Sequence, residues 1–150
     1  MKRRSSIAAL ACFILFVTLV SFSPTNESNL IGDVLSQTNK FRSSNGLPAL
    51  VINEDLNAIA QKHSSNMAKG RVRFGHGGFS QREAQAKKKI SIYSFAENVA
   101  YGPTTGKQVV TMWKNSSGHR RNMLGRYKYI GIGIAKDRRG RIYYTQVFGG

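Results

Sequence analysis

Three ionisable side chains stand in settings where a lone charge would be costly to bury. His119 follows a Ser/Gly break in Trp113-Lys-Asn-Ser-Ser-Gly-His-Arg-Arg-Asn122, His76 sits within Phe74-Gly-His-Gly-Gly-Phe79, and Glu97 lies in Ala96-Glu-Asn-Val-Ala100. Gly, Ala and aromatic neighbours offer no partner for a charge, so these residues need one another or solvent. Two imidazoles and a carboxylate can move protons or bind a cation once a fold brings them together. Ser117, next to Gly118 and His119, is the nearest hydroxyl, but nothing in the spacing turns it towards the imidazole. Each residue also has a plainer alternative: a surface turn for His76, and for Glu97 a carboxylate that accepts backbone hydrogen bonds.

The elements that must carry these residues follow from periodicity and punctuation. Leu30, Ile31, Val34, Leu35, Thr38 and Phe41 repeat at helical spacing until Ser43-Ser-Asn-Gly46 stops them. Asn53 is placed to cap a second helix, with Glu54 and Asp55 in its first turn. Its buried stripe is Leu56, Ile59, Ala60, His63 and Met67, and Gly70 ends it. His63 is read as a hydrogen-bonded core histidine outside the site. Glycines at 75, 77 and 78 allow another segment to approach His76. Residues 80–89 read as a solvated loop or short exposed helix, and residues 90–100 as partly extended. After Gly102-Pro103, helical spacing returns with Val109, Val110 and Trp113, the last a core anchor. Tyr129-Ile-Gly-Ile-Gly-Ile-Ala135 alternates strictly and is answered by residues 141–148 across Asp137-Arg-Arg-Gly140, a β-hairpin. Gly131 and Gly133 leave one face of it bare, so that a helix can sit close. No helix follows these glycines, which rules out a dinucleotide-binding fingerprint.

Length and charge bound the rest. With 150 residues, a leader and one domain of ordinary size with its own core are expected. Residues 1–23 read as a secretory signal, with Lys2-Arg-Arg4 followed by an apolar run from Ile7 to Phe22. That run spans about 24 Å as a helix, short of the roughly 30 Å hydrocarbon core, which favours a cleaved signal over an anchor. Residues 24–29 read as a polar linker and residues 30–150 as the domain. Cys12 is the only cysteine and lies in the leader, so the domain must stand without a disulfide. The formal net charge is +16, with 23 Lys and Arg against 7 Asp and Glu, and only Lys2, Arg3 and Arg4 of these belong to the leader. Such a balance favours anionic partners.

Taken in order, NKFRSSNGLPAL, the helix from Leu56 to Met67, FGHGGF, AENVAYG, the tryptophan followed by SSGHRRNML, and the closing IGIGIA and YYTQVF strands resemble the CAP superfamily, or SCP domain. This is the family of cysteine-rich secretory proteins, antigen 5 and pathogenesis-related 1 proteins. Without the family's disulfides the chain resembles its compact prokaryotic branch. The resemblance implies an α+β fold, a three-layer α-β-α sandwich with a small antiparallel sheet. It also implies a cleft of two histidines and two glutamates, met here by His76, Glu97 and His119, with Ser116 where the second glutamate usually lies. Some members bind a divalent metal through the histidines, so His76 and His119 are the expected ligands of zinc or another divalent cation, with one carboxylate fewer. Tyr143-Tyr-Thr-Gln146 is similar to another family signature but lies in the last strand, and its likeness is read as coincidental.

The functional expectation is a secreted binding protein at an anionic lipid or cell-wall polymer surface, whose cleft takes a divalent metal or a small apolar ligand of lipid or sterol type. The alternative is a metal-assisted extracellular hydrolase with Glu97 as base. Nucleic acid, suggested by charge alone, is not the expected partner, since no recognition helix or zinc knuckle is present.

Overall fold

The computed structural model describes residues 24–150, with side chains from residue 29; the secretory signal read from residues 1–23 lies outside them. Helix α1 runs over Pro24–Ser43. Residues 24–29, expected as a polar linker, are therefore its first turns. Proline is well suited to a helix start because its missing N–H is one that a first turn leaves unbonded anyway. Val34, Thr38, Phe41 and Arg42 form the buried side of α1. The Arg42 guanidinium, 1 % exposed, donates to the carbonyls of Pro48, Met123 and Gly125. Burial lowers its pKa, but the carbonyls satisfy its N–H groups.

Strand β1 is the short Val51–Ile52, and α2 spans Glu54–Ala68. The Asn53 side chain caps α2 by accepting from the Leu56 N–H. Helix α3 covers Phe79–Lys89, the stretch read as loop or short helix, and strand β2 covers Phe95–Tyr101. Helices α4, Gly106–Lys114, and α5, Ser117–Met123, lead into the hairpin of β3, Tyr129–Lys136, and β4, Ile142–Gly149. The strand order is β1-β3-β4-β2. The three long strands pair antiparallel, and β1 lies parallel to β3 through Val51↔Tyr129 and Ile52↔Ile130.

Every residue of β4 is buried, because helices cover both sheet faces. Ile130, Ile132, Ile134, Tyr144 and Phe148 pack with Trp113 and α1 on one side. Leu56, Ile59, Ala60 and Val147 pack on the other. Gly131 and Gly133 face α2 so closely that a Cβ on either would come within 2.2 Å of the Leu56 or Ala60 backbone. The bare face anticipated from the alternating strand is thus the seat of α2.

Buried polar side chains on β4 stitch the layers. Gln146 donates to the Thr38 hydroxyl of α1, while Ser64 of α2 donates to Thr145 and sits equally close to the Gly133 carbonyl. A hydroxyl has one proton, so these two Ser64 contacts are alternatives or a shared bond. The polar residues of Tyr143-Tyr-Thr-Gln146 thus have a layer-joining role in this chain. Among the described residues no buried side-chain nitrogen or oxygen lacks a partner.

Candidate functional site

Strand β2 delivers Glu97 and Asn98 to opposite faces of the sheet. Asn98 pairs across to Gln146 and donates to the His119 carbonyl. Glu97 pairs across to Val147 and so faces the side of α2 and α3. Its side chain is fully buried, and an arginine and two histidines surround it. Arg82, from the first turn of α3, donates Nε to Oε2 at 2.6 Å and Nη2 to Oε1 at 2.7 Å. This two-pronged geometry is the strongest an arginine and a carboxylate can form. A third arm, Nη1, donates to the Gly77 carbonyl and holds the glycine loop.

His76 completes the cluster, its Nδ1 lying 2.9 Å from Oε1 of Glu97. A carboxylate only accepts, so Nδ1 carries the proton; in the neutral ring Nε2 keeps a lone pair. The side chain is about half exposed, at 49 %, and is carried by a loop whose Gly75 and Gly78 adopt positive φ. His63 lies behind it. Its Nε2 donates to the Gly75 carbonyl at 2.8 Å and stands 3.9 Å from Oε1 of Glu97. Burial lowers the His63 pKa; the Gly75 bond pushes the other way, and the Arg82 charge opposes that of Glu97. His63 is therefore a hydrogen-bonded core histidine, as read, yet it also forms the floor of the cluster from which it had been set apart.

A recess of about 400 Å³ opens over Glu97, lined by His76, Phe79, Phe95, Ala96, Asn122 and Tyr127. Asn122 of α5 donates to the Glu97 carbonyl and to Asn98 Oδ1, fixing this wall to β2. A second recess of about 250 Å³ lies behind, lined by His63, Arg82, Lys62 and Gln85 among others.

His76 and Glu97 thus meet directly. His119 is half-buried on α5, with its pKa lowered by burial and then by the charge of His76, but it does not line the recess over Glu97. Ser116 is the N-cap of α5, its side chain making no capping bond, and it too stands outside that recess.

The cluster as built does not fit a resident divalent cation. Both oxygens of Glu97 are taken by Arg82, whose positive charge also opposes a metal beside His76. Among the described residues no three His, Cys, Asp or Glu side chains are grouped to hold one, whereas a zinc centre uses at least three protein ligands. Arg82 and Asn122 were missed in the sequence because each resembles any polar residue on a short helix. The one signal was Glu97 itself, an acid in an apolar stretch of a strongly basic chain, which had to find a cationic partner.

Helices on both sides of a mainly antiparallel sheet, with a carboxylate and a histidine meeting at one edge, define an α-β-α sandwich domain with a polar cleft. Residues 35–148 match the cysteine-rich secretory protein family, CAP, and the chain belongs to it. It is 33% identical over 131 residues to the uncharacterized protein YkwD of Bacillus subtilis, covering 85% of this chain and 50% of that one. The chain thus spans about half the length of that relative. A cysteine-rich secretory protein of Staphylococcus aureus superposes with a TM-score of 0.70 at 26% identity, over 85% of this chain and 40% of the other. An extracellular protein of Bacillus anthracis containing an SCP domain gives 0.73 at 25%, over 86% and 44%. An outer surface protein of Borrelia burgdorferi shares the fold, with 0.70 at 22% identity, over 81% and 92%.

Proposed function

We propose that this chain is a secreted binding domain that attaches to an anionic cell envelope, through either wall polymer or acidic lipid, and takes a small ligand in the cleft over Glu97. The observation that carries the proposal is the charge, 23 Lys and Arg against 7 acidic residues, with only Lys2, Arg3 and Arg4 in the leader, on a member of a family whose similar bacterial structures include an extracellular protein. Surface cations of this number attract an anionic polymer or membrane over the range set by salt screening. The cleft supports a small ligand with an apolar body, for Phe79, Phe95, Ala96 and Tyr127 line it beside a polar corner of His76 and Asn122, above the fully buried Glu97 side chain. It lends less support to hydrolysis. A base must be free to take a proton, and Glu97 is engaged by Arg82 through both oxygens.

The test is cosedimentation of the protein with isolated cell walls and with acidic vesicles at rising salt. Binding that weakens steeply with salt is expected. Absence of binding, or binding indifferent to salt, overturns the proposal.

A further inference from the structure

The positive charge is not spread evenly. Where the end of α2 meets the β3–β4 turn, a groove of about 740 Å³ is lined by Lys69, Arg71, Lys136, Arg138, Arg139 and Arg141, with Asp137 its only acid. Both walls carry the same sign, and a concave site of one sign concentrates potential more than a convex face does. Asp137 does not cancel it. Its Oδ1 accepts from the backbone N–H groups of Arg139 and Arg141, and its Oδ2 from the Arg141 side chain. The acid is used to build the turn, and Arg138 and Arg139 remain exposed on a braced loop. A braced loop loses less conformational freedom on binding.

The groove continues onto aromatic surface. The Arg141 guanidinium lies 5.7 Å from the Tyr101 ring and 5.9 Å from that of Tyr143. Tyr101 stacks on Tyr143, and Phe74 meets Tyr101 edge-on at 79°. Tyr101 and Phe74 stay 45% and 47% exposed. A ligand that spans both regions needs regularly placed anions and a ring with an apolar face. Single-stranded nucleic acid has both, but its binders seat successive bases on separate aromatic platforms. Here the two exposed rings are packed against each other and offer room for one ring.

We infer that the groove between α2 and the β3–β4 turn, with the Tyr101 platform beside it, is a binding site for an anionic carbohydrate polymer. Its phosphates or carboxylates meet Arg138, Arg139 and Arg71, and one sugar ring packs on Tyr101. This deepens the envelope-binding proposal and rests on it.

The experiment measures affinity of the full-length chain for a glycosylated teichoic acid and for an oligouronate, with inorganic polyphosphate and single-stranded DNA beside them. Arg138→Glu/Arg139→Glu reverses charge inside the groove. Lys88→Glu/Lys107→Glu makes the same net change outside it. The groove variant is expected to lose roughly tenfold or more in affinity for the carbohydrate polymer, the scale of one or two charge-assisted contacts, and the control much less. Tyr101→Ala should weaken the carbohydrate polymer and leave polyphosphate unchanged. Preference for teichoic acid or for uronate then tells whether phosphate or carboxylate is the matching anion. Equal losses in the two double variants, or tighter binding of DNA than of either carbohydrate polymer, overturn the assignment. If the unaltered protein still binds cell walls in that case, only the groove fails; if it binds neither walls nor vesicles, the envelope proposal fails with it.

Discussion

Two arginine–carboxylate pairs in this molecule do opposite things. At the edge of β2, Arg82 and His76 close on Glu97, whose side chain is fully buried, and the charges cancel inside the protein. At the β3–β4 turn, a half-exposed Arg141 pairs with Asp137, whose side chain is 9 % exposed, while Arg138 and Arg139 remain exposed. The exposure of the arginine makes the difference, 11 % for Arg82 and 48 % for Arg141. A buried carboxylate must have all its charge answered by fixed groups, so its cluster is rigid and closed. At the turn the arginine of the pair reaches water, which screens it, and the pair needs only to hold the turn, leaving the neighbouring cations available.

The largest effect that can break this contrast is removal of Glu97. Glu97→Ala leaves Arg82 desolvated without its partner and frees the Gly75–Gly78 loop, and a loss of about 3–5 kcal/mol in unfolding free energy is expected. Urea denaturation measures it. Removing both partners in Glu97→Gln/Arg82→Gln should cost less than the sum of the single changes, because the pair is coupled. Additive losses would show that the two side chains do not depend on each other. The same cluster governs metal affinity. In calorimetry the unaltered chain should show no stoichiometric zinc binding, and Arg82→Ala, which releases both oxygens of Glu97 beside His76, should bind zinc more tightly. Stoichiometric binding by the unaltered chain that disappears in His76→Ala/His119→Ala would overturn this account of the donor set.

Next in size is a pH effect from the histidines around the buried cluster. The pKa values of His63 and His119 are lowered, chiefly by burial, so the unfolded chain takes up protons there before the folded one does. Their contribution to stability is present above the ordinary histidine value of about 6.5 and is lost as pH falls from there towards the folded values. Thermal midpoints recorded from pH 8 to pH 5 should fall across that window. His63→Gln, which can still donate to the Gly75 carbonyl, should flatten the slope; an unchanged slope would assign the effect elsewhere.

The layers were legible in the sequence because period and punctuation report burial directly. The α2 stripe, the hairpin and the helix-facing glycines 131 and 133 follow from which positions are apolar or bare. The start of α1 was not, since the residue types of 24–29 suit a polar linker and a helix start equally well. At the site, the contact of His76 with Glu97 was anticipated as a meeting of motifs, but its chemistry was set by Arg82, whose sequence neighbours are ordinary surface residues. A long-range ion pair leaves no period to read. That Asn122 of α5 lines the recess while His119 meets the cluster only through the charge of His76 is likewise a matter of where a short helix sits, which spacing along the chain does not specify.

The smallest effect belongs to the pair at the β3–β4 turn, and it tests whether the turn acid restrains the groove or only shapes it. Desolvation, the largest single influence, pushes the Asp137 carboxyl up, but hydrogen bonds from the Arg141 side chain and from the Arg141 and Arg139 backbone, with the Arg141 charge, together outweigh it and hold the carboxyl below the usual value. Its contribution to stability is thus present above the unfolded carboxyl value of about 3.9 and lost only as pH falls below it, leaving the neutral window to the histidines. Asp137→Asn keeps a carbonyl oxygen for the two backbone N–H groups and removes the negative charge. The thermal midpoint should barely move, while affinity for an anionic polymer should rise about two- to threefold as Arg141 is released. Asp137→Ala removes the acceptors as well; if the braced turn matters for binding, this variant should bind more weakly than Asp137→Asn despite the same net charge. Equal affinities in the two variants would mean that charge alone acts at this end of the molecule.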